Sequence, residues 1–397
     1  MSSSAAALAA SSPAAALDTH AGSTRLLRLT DADAWEARAE AWDDGARSAG
    51  AFYLSYAWLR PWWEAFGKPP LDLMLVAEAG RTLALAPLSR ARRLWWGVPV
   101  RCVTNLFNPH AARSDISVGG DERRCTQLLL DVLDRRAWDV LFLREIPRQS
   151  AFLAQLEALA PARGLRIRQR HSLDSPWLPI QGRWEDFHAK LPSAFRSDLR
   201  RKFNRLAASG KQAVFECTTS PERIAAQMPE IMGLALRSWS GQQGTSIGSG
   251  RNRAFYEQAF ALMARRGALR LFTLRLDAVL AAFDVQIAWG RTLIGLKRSY
   301  DPEFAALSPG SLLEAHVMQT QFRSGEFDRL DLLGKDDAFK RRWTDQVESH
   351  VEVFVFNRRP ASRVVEGLEF GLRPHLGSLK RSLLKLKPQT GTTARVG

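Results

Sequence analysis

A short loop before a predicted helix carries residue types that suit a phosphate or pyrophosphate. The loop comprises Ser308, Pro309, Gly310, Ser311 and Leu312, where an apolar helical pattern begins. The first N–H groups of a helix lack intrahelical partners, and the positive end of the macrodipole lies beside them. Ser308 is predicted to cap the helix, Pro309 fits its first turn, and Gly310 lets a ligand approach the backbone. The alternative is an ordinary capped helix without a ligand.

Three further residues of this region could take part in proton transfer or hold a substrate. Asp331 lies on the last predicted strand, where its carboxylate could orient an amine or act as a general base. Tyr300 ends an earlier strand, where its phenol could donate a proton. Asp284 lies inside the apolar strand AAFDVQIAW, and a carboxylate there needs a partner, which makes it a candidate substrate contact. The alternatives are a strand-end carboxylate paired with Lys or Arg for Asp331 and a packing tyrosine for Tyr300.

Basic and aromatic side chains are further candidates for substrate binding. Arg196 and Arg200 lie four residues apart on one predicted helix, and a bound anion would offset the repulsion between them. Lys297 lies near a strand end, Lys340 follows a Gly-Lys loop, and Trp239 follows a helix. The alternatives are a solvated basic face and a packing tryptophan.

Composition and charge indicate a basic globular protein. The 397 residues include 56 Lys and Arg against 41 Asp and Glu, a net charge of +15. This balance favours anionic partners such as phosphorylated cofactors, nucleic acid, acidic polysaccharide or an anionic membrane. The three cysteines and seven histidines show no metal-ligand spacing, so we expect reduced thiols, no metal and a cytoplasmic location. No apolar run reaches the roughly 18 residues that a membrane-spanning helix needs.

The predicted elements occur twice in the same order. The strand, turn and strand of LMLVAEAGRTLALAPL align with LRLFTLRLDAVLAAFDVQI. The helix and strand of ERRCTQLLLDVLDRRAWDVLFLREI align with SLLEAHVMQTQFRSGEFDRLDLLGK. This order predicts an α/β (α+β) fold of two tandem domains, each with a mixed, mostly antiparallel sheet flanked by helices. We assign residues 1–22 to a disordered leader, 23–180 to the N-terminal domain, 181–357 to the C-terminal domain and 358–397 to a basic tail.

Several segments of the second half occur in a characteristic order. They are FRSDLRRKFNRLAASG, RSW at 237–239, GALRLFTLRLDAVLAAF, YDPEFAALSPG and DLLGKDDAFKRRW. In this combination the half resembles the CelD-type acetyltransferase domain of the GNAT superfamily, named for bacterial cellulose and exopolysaccharide gene clusters. The two-part chain is also similar to the FemAB peptidyltransferases. The resemblance implies splayed central strands that admit the pantetheine of acyl-CoA, with its pyrophosphate on the loop before the main helix.

The resemblance implies an acyl transfer in which an amine or hydroxyl attacks a thioester directly. Asp331 and Tyr300 are then the candidate base and proton donor. The acceptor expected from the family is a sugar, nucleotide-sugar or polysaccharide precursor. The sequence lacks the usual Q/RxxGxG/A loop of GNAT enzymes, and FemAB-like relatives with altered loops use aminoacyl-tRNA instead.

Three functions therefore stay open. They are an acyl-CoA-dependent N- or O-acyltransferase, an aminoacyltransferase that uses charged tRNA, and a GNAT-shaped scaffold that binds a synthase or an anionic membrane. The basic tail at 358–397 favours a peripheral position at the inner membrane, because a basic amphipathic segment suits acidic lipid. A solvated tail is the alternative.

Overall fold

The computed structural model describes residues 17–21, 24–67, 70–238 and 246–373. Within these residues the α-helices are α1 (Ala32–Glu36), α2 (Ala39–Ser48), α3 (Tyr56–Ala65), α4 (Glu122–Asp134), α5 (Ala151–Leu159), α6 (Trp184–Lys190), α7 (Ser193–Ala208), α8 (Pro221–Arg237), α9 (Gly250–Arg265), α10 (Pro309–Ser324) and α11 (Pro360–Glu366). Short 3-10 segments include Pro302–Leu307 and Lys340–Arg342.

The strands of the same residues form two sheets. They are β1 (Leu17–Ala21), β2 (Thr24–Leu29), β3 (Leu73–Glu78), β4 (Arg81–Ala86), β5 (Leu88–Trp95), β6 (Val98–Asn105), β7 (Ser117–Val118), β8 (Val140–Pro147), β9 (Arg166–Pro179), β10 (Ala213–Thr218), β11 (Leu269–Leu276), β12 (Val279–Trp289), β13 (Thr292–Tyr300), β14 (Arg329–Asp331) and β15 (Val347–Phe356). The smaller sheet has the order β1-β2-β3-β4-β7. The larger sheet has the order β10-β11-β12-β13-β14-β9-β15-β8-β6-β5 and runs through both halves of the chain.

The second half is built around one fully covered strand and one long helix. Most side chains of β12 are buried on both faces of the sheet, as expected for a central strand. Helix α10 buries Leu312, Leu313, Val317 and Met318 at helical spacing. Packing of this apolar stripe against the sheet fixes where α10 begins, which positions the loop before it.

The predicted duplication is visible in the order of elements. In each half a strand meander is followed by a helix and then by a strand parallel to an earlier one. Strand β6 pairs in parallel with β8, and β13 pairs in parallel with β14, over three residue pairs in each case. The predicted class, a mixed α/β fold with mostly antiparallel sheets flanked by helices, is confirmed.

The two halves exchange strands at their boundary. Strand β15, which falls in the predicted C-terminal domain 181–357, pairs with β8 and β9 of the N-terminal half. The last residues of β9, Trp177 to Pro179, pair with β14 of the C-terminal half. Pairing along these strands therefore holds both halves in one sheet.

Both predicted terminal segments contain regular secondary structure, so the two predictions need correction. Residues 17–21 of the expected leader form β1, which pairs with β2. Residues Pro360–Glu366 of the expected tail form α11, whose Val365 is buried beside Val100 and Phe356. These segments are ordered because they complete a sheet edge and cover an apolar surface. Residues 1–16 and 22 of the predicted leader and residues 374–397 of the predicted tail lie outside the described residues.

Within the described ranges, no helix is both long and apolar enough to cross a membrane. In the same ranges, no three His, Cys, Asp or Glu side chains lie close enough together to hold a metal ion.

Candidate functional site

The candidate site lies where two parallel strands of the larger sheet separate. Strands β13 and β14 pair only at Thr292 with Arg329, Leu293 with Leu330 and Ile294 with Asp331. Beyond these pairs β13 continues to Tyr300, whereas β14 ends. The sheet therefore opens between the end of β13 and the segment that follows β14.

A β-bulge re-aims the side chains of β13 at this opening. The register between β12 and β13 passes from Gln286 opposite Gly295 to Val285 opposite Lys297, so Leu296 is one residue extra in β13. Bulges bend a strand and are common next to active sites. The residues that follow this bulge, Lys297 and Arg298, line the clefts described below.

One cleft, of about 520 Å³, lies at the start of α10, and we call it the helix-start cleft. Its polar lining includes Tyr300, Ser308, Gly310 and Ser311, all predicted as site residues from the sequence. Its apolar walls include Phe283, Leu313 and Phe339. The cleft therefore combines an apolar wall with the backbone of a helix start.

The start of α10 differs from the capped helix that we expected. Ser308 has a left-handed backbone (φ 56°, ψ 50°), and its side chain makes no capping hydrogen bond. Instead, its carbonyl accepts hydrogen bonds from the amides of Ser311 at 3.1 Å and Leu312 at 3.2 Å. The predicted side-chain cap is therefore wrong. The bond from Leu312 is the ordinary first hydrogen bond of the helix, whereas the bond from Ser311 engages an amide that would otherwise be unpaired.

The remaining members of the predicted loop have packing roles. A Cβ added to Gly310 would lie 3.3 Å from Cδ1 of Tyr300, so the glycine lets the phenol pack on the helix start. Pro309 and Leu312 are buried, and Leu312 belongs to the core beside β12. These two residues do not line the cleft.

Two cations of α7 lie against the loop before α10. Nζ of Lys202 donates to Oγ of Ser311 at 3.2 Å, and Nη1 of Arg205 donates to the carbonyl of Ala306 at 2.8 Å. Asp198 lies 2.8 Å from Lys202 and offsets part of this charge. The basic helix predicted from the sequence therefore faces the helix start, but through Lys202 and Arg205, which we had not selected as site residues.

A second cleft, of about 470 Å³, lies between the two halves, and we call it the inter-half cleft. Lys297 and Lys340 line it, as expected for substrate-binding candidates. Nζ of Lys340 donates to the carbonyl of Lys335 at 2.7 Å and lies 3.2 Å from Asp337. His110 and Glu145 of the N-terminal half complete the lining. Both halves therefore contribute side chains to one cavity.

Lys297 occupies an unusual environment in the inter-half cleft. Its Nζ lies 5.3 Å from the ring centroid of Tyr256, whose hydroxyl is 3.2 Å from Nδ1 of His110. Burial lowers the pKa of Lys297 from 10.5 to about 8. Burial first, and then the charge of Lys297, lowers the pKa of His110 to about 4. No sequence pattern indicated His110 or Tyr256, because neither residue lies near the other members of the site along the chain.

Asp284 and Arg298 line both clefts. They are paired in register across β12 and β13, and Arg298 forms an ion pair with the buried carboxylate of Glu314 on α10. Burial raises the pKa of Asp284 from 3.8 to about 6, against the opposing effect of the Arg298 charge. Nε2 of Gln286 donates to Asp284 at 2.9 Å. Asp284 is thus a carboxylate whose pKa lies near neutrality, with access to both sides of the opening.

Asp331, our candidate base, lines neither cleft. Nη2 of Arg113, in the N-terminal half, donates to its two carboxylate oxygens at 2.6 and 2.7 Å, and the amide of Leu333 donates at 2.9 Å. The same guanidinium donates to Ser175 at 2.9 Å and contacts His350 at 2.8 Å. The geometry contradicts a base role, because Arg113 holds the carboxylate in a buried ion pair that joins the halves.

The other predicted substrate contacts lie elsewhere. Arg196 and Arg200 line a separate cleft between α6, α7 and α10. Trp239 lies outside the described residues. Among the predicted substrate contacts, Asp284, Lys297 and Lys340 are the ones brought together.

Residues 193–341 match the model of a family described as an acetyltransferase (GNAT) domain. The match extends from α7 through α10 to the 3-10 segment after β14, and it contains most of both clefts. It supports an acyltransferase of the GNAT type. The finer CelD-type assignment stays a prediction. No curated protein sequence matches the chain.

Solved structures with the same fold align over most of the chain. FemX aligns with a TM-score of 0.59 at 12% identity, over 85% of this chain and 99% of FemX. The C-terminal domain of an Agrobacterium fabrum protein assigned as a lysylphosphatidylglycerol synthetase aligns with a TM-score of 0.53 at 13% identity, over 84% of this chain and 97% of that domain. A protein of unknown function from Bacteroides thetaiotaomicron aligns with a TM-score of 0.50 at 10% identity, covering 83% and 99%. At these identities the likeness concerns the fold alone.

Proposed function

We propose that the protein moves an acyl group from a donor in the helix-start cleft to an amine or hydroxyl in the inter-half cleft. One observation carries this proposal: Asp284 and Arg298 line both cavities where β13 and β14 separate. A donor and an acceptor bound in the two cavities would meet at these side chains. Holding both reactants in one geometry supplies much of the acceleration in such a direct transfer.

Asp284 is the base that we assign in place of Asp331. The nucleophile attacks the carbonyl carbon of the donor thioester, a C–N or C–O bond forms, and the C–S bond breaks. Asp284 takes the proton that the nucleophile loses, since a pKa of about 6 leaves it ionised at neutral pH yet basic enough to accept one. The departing thiolate needs a proton, and Tyr300 is the donor that we assign because it lines the helix-start cleft.

Acyl-CoA is the donor that we favour. The walls formed by Phe283, Leu313 and Phe339 suit an apolar pantetheine and acyl chain. Lys202 and Arg205 beside the loop would attract its phosphates. A bound pyrophosphate would have to share or replace the Ser308 carbonyl at the amide of Ser311.

A charged tRNA is the second candidate donor. The sequence lacks the usual pyrophosphate loop of GNAT enzymes, and the Ser311 amide at the start of α10 already donates to the carbonyl of Ser308. An aminoacyl ester on tRNA would be held mainly by basic side chains, as is common for nucleic acid ligands. The net charge of +15 supports this alternative.

A nucleotide-sugar or other sugar precursor of an exopolysaccharide or the cell envelope is the acceptor that we favour. The ammonium groups of Lys297, Lys335 and Lys340 along the inter-half cleft suit an acceptor that carries phosphate. A non-catalytic scaffold at a synthase or an anionic membrane is the remaining alternative. The family resemblance also leads us to propose a cytoplasmic protein, peripheral at the inner membrane.

Binding and turnover of the full chain with a panel of CoA esters test the proposal. We expect a CoA ester to bind with micromolar affinity. We also expect its acyl group to be transferred to an amino sugar or a nucleotide-sugar, which mass spectrometry of the product measures. Asp284→Asn should lower the rate of transfer roughly 10²–10⁴-fold without abolishing donor binding. The matched control is Asp277→Asn in the exposed turn of the same hairpin, where Asp277 pairs with Lys211. Binding to charged tRNA alone would favour the second donor, and equal turnover by Asp284→Asn and Asp277→Asn would overturn the assignment of the base.

A further inference from the structure

A third cavity lies away from the proposed reaction centre, and we call it the basic cleft. It has a volume of about 670 Å³ and lies between α6, α7 and α10. Its main side chains are Trp184, His188, Arg196, Arg200, Phe203 and Gln319. We infer that the basic cleft binds a phosphate-bearing nucleotide, with the phosphate on the two guanidinium groups and the base against the aromatic wall.

The guanidinium groups of Arg196 and Arg200 are suited to bind an anion. Arg196 and Arg200 lie one turn apart on α7, where like charges repel. Among the described residues, neither has a carboxylate within ion-pair distance, and Nε of Arg196 is buried without a hydrogen-bond partner. A buried donor of this kind is costly to leave unpaired. Guanidinium groups match phosphate oxygens in pairs, so a phosphate bound between Arg196 and Arg200 would offset the repulsion between them.

The neighbouring acidic residue on α7, Asp198, forms ion pairs with other cations. Asp198 lies 2.6 Å from Arg201 and 2.8 Å from Lys202. Within the described part of the chain, the side chains that line the basic cleft include no Asp or Glu. The cleft is therefore positive, and its charge is not neutralised from its own walls.

Aromatic rings give the cleft a surface for a planar group. Trp184 is held by Phe187 at 5.8 Å and by Phe322 at 5.9 Å between ring centroids, and His188 lies 5.3 Å away. Phe203 is 38% exposed, which is unusual for a large apolar side chain. Stacking of a base on such rings, beside basic groups that hold its phosphate, is a common way of binding nucleotides.

The basic cleft shares no residue with the helix-start cleft or the inter-half cleft. It meets α10 at Ala315 and Gln319, five and nine residues beyond Gly310. At a rise of 1.5 Å per residue these positions lie roughly 8 and 14 Å further along the helix. The inference therefore stands or falls independently of the proposed acyl transfer.

Calorimetric titration of the full chain with adenosine 5′-monophosphate tests the inference, with adenosine as the uncharged comparison. We expect the nucleotide to bind at least tenfold more tightly than adenosine. The double variant Arg196→Gln, Arg200→Gln should weaken binding of the nucleotide at least tenfold. The matched control is Arg201→Gln on the same helix, since Arg201 is exposed and paired with Asp198. Thermal unfolding of each variant checks that the fold is retained.

A second arm identifies the source of the nucleotide. A short single-stranded RNA with a terminal phosphate that binds more tightly than the mononucleotide, with an affinity that falls as salt rises, indicates an RNA end. A mononucleotide that binds at least as tightly indicates a free nucleotide. Both results support the inference. Equal binding of adenosine and its monophosphate, unchanged binding by the double variant, or no binding of any of these probes would overturn it, and the basic cleft would then be a solvated surface.

Discussion

Asp284 and Arg298 are paired across β12 and β13, and both side chains line two cavities at once. Glu314 on α10 forms an ion pair with Arg298, so helix and sheet are tied together at this point. The pKa of Asp284 is raised to about 6, and the guanidinium beside it is held in place. Such a carboxylate suits a general base that lies between two reactants. This relationship leads to the first prediction.

The rate of acyl transfer should depend on the ionisation of Asp284. Below pH 6 the carboxylate is protonated and cannot accept a proton, so kcat/KM should fall as the pH is lowered through about 6. Asp284→Asn should lower kcat roughly 10²–10⁴-fold, the usual contribution of a general base. Its pH profile should also lose the acidic limb. Asp277→Asn should keep the wild-type profile, and an acidic limb retained by Asp284→Asn would argue against the assignment.

Arg113 and Asp331 should contribute mainly to stability. Arg113→Met leaves the Asp331 carboxylate buried without its ion-pair partner, which should cost about 3–5 kcal/mol of unfolding free energy. Asp328→Asn is the control, because Asp328 pairs with Arg291 on the surface, where a pair contributes about 0–1 kcal/mol. Urea unfolding followed by circular dichroism measures both.

The same pair distinguishes a structural role of Asp331 from a catalytic one. The double variant Arg113→Met, Asp331→Leu removes both charges and should recover part of the lost stability. Its kcat should remain well above that of Asp284→Asn. A well-folded Asp331→Asn protein as inactive as Asp284→Asn would restore Asp331 as the base.

Lys297, which lines the inter-half cleft, should lower the free energy of unfolding of the protein. Its pKa is about 8 in the folded chain against 10.5 without burial, so the unfolded chain binds the proton more tightly. This cost is fully present below pH 8 and disappears as the pH rises from 8 to 10.5. Lys297→Met should therefore stabilise the protein at pH 7, less so at pH 10, and lower activity. Urea midpoints at the two pH values test the sign, and a gain that grows with pH would contradict it.

Gly310 should control access to the helix-start cleft. A Cβ at this position already lies 3.3 Å from Tyr300, so Gly310→Trp should fill the cavity. The thermal shift given by a CoA ester should disappear, whereas the circular dichroism spectrum should stay the same. Gly367→Trp is the control, because a Cβ at Gly367 meets no heavy atom within 4 Å. A CoA ester that shifts both variants equally would place the donor elsewhere.

Sequence patterns identified much of the fold and one side of the site. Helical spacing at Leu312, Leu313 and Val317 predicted α10, and the repeated order of elements predicted the two halves. Ser308, Gly310 and Ser311 line a cleft, and their role as cofactor contacts stays a prediction. The helix and the two halves could be predicted because helix starts and strand meanders depend on side chains close together along the chain.

Other predictions failed where distant residues intervened. Ser308 does not cap α10, because it also ends the preceding 3-10 segment in a left-handed conformation. Asp331 is not an open carboxylate, because Arg113 reaches it from 218 positions away. Segments expected to be a leader and a tail contribute β1 and α11, since each covers an edge or an apolar surface of the N-terminal half.

The sequence by itself determined the secondary structure around the opening, the duplication and the basic character of α7, because spacing, capping residues and charge are local properties. Only the tertiary structure decided which carboxylate lies between the clefts and which is held in an ion pair. It also brought His110 and Tyr256 to Lys297. The physical reason is that burial and charge partners set the pKa and the access of a side chain, and both come from strands and helices far apart in the chain.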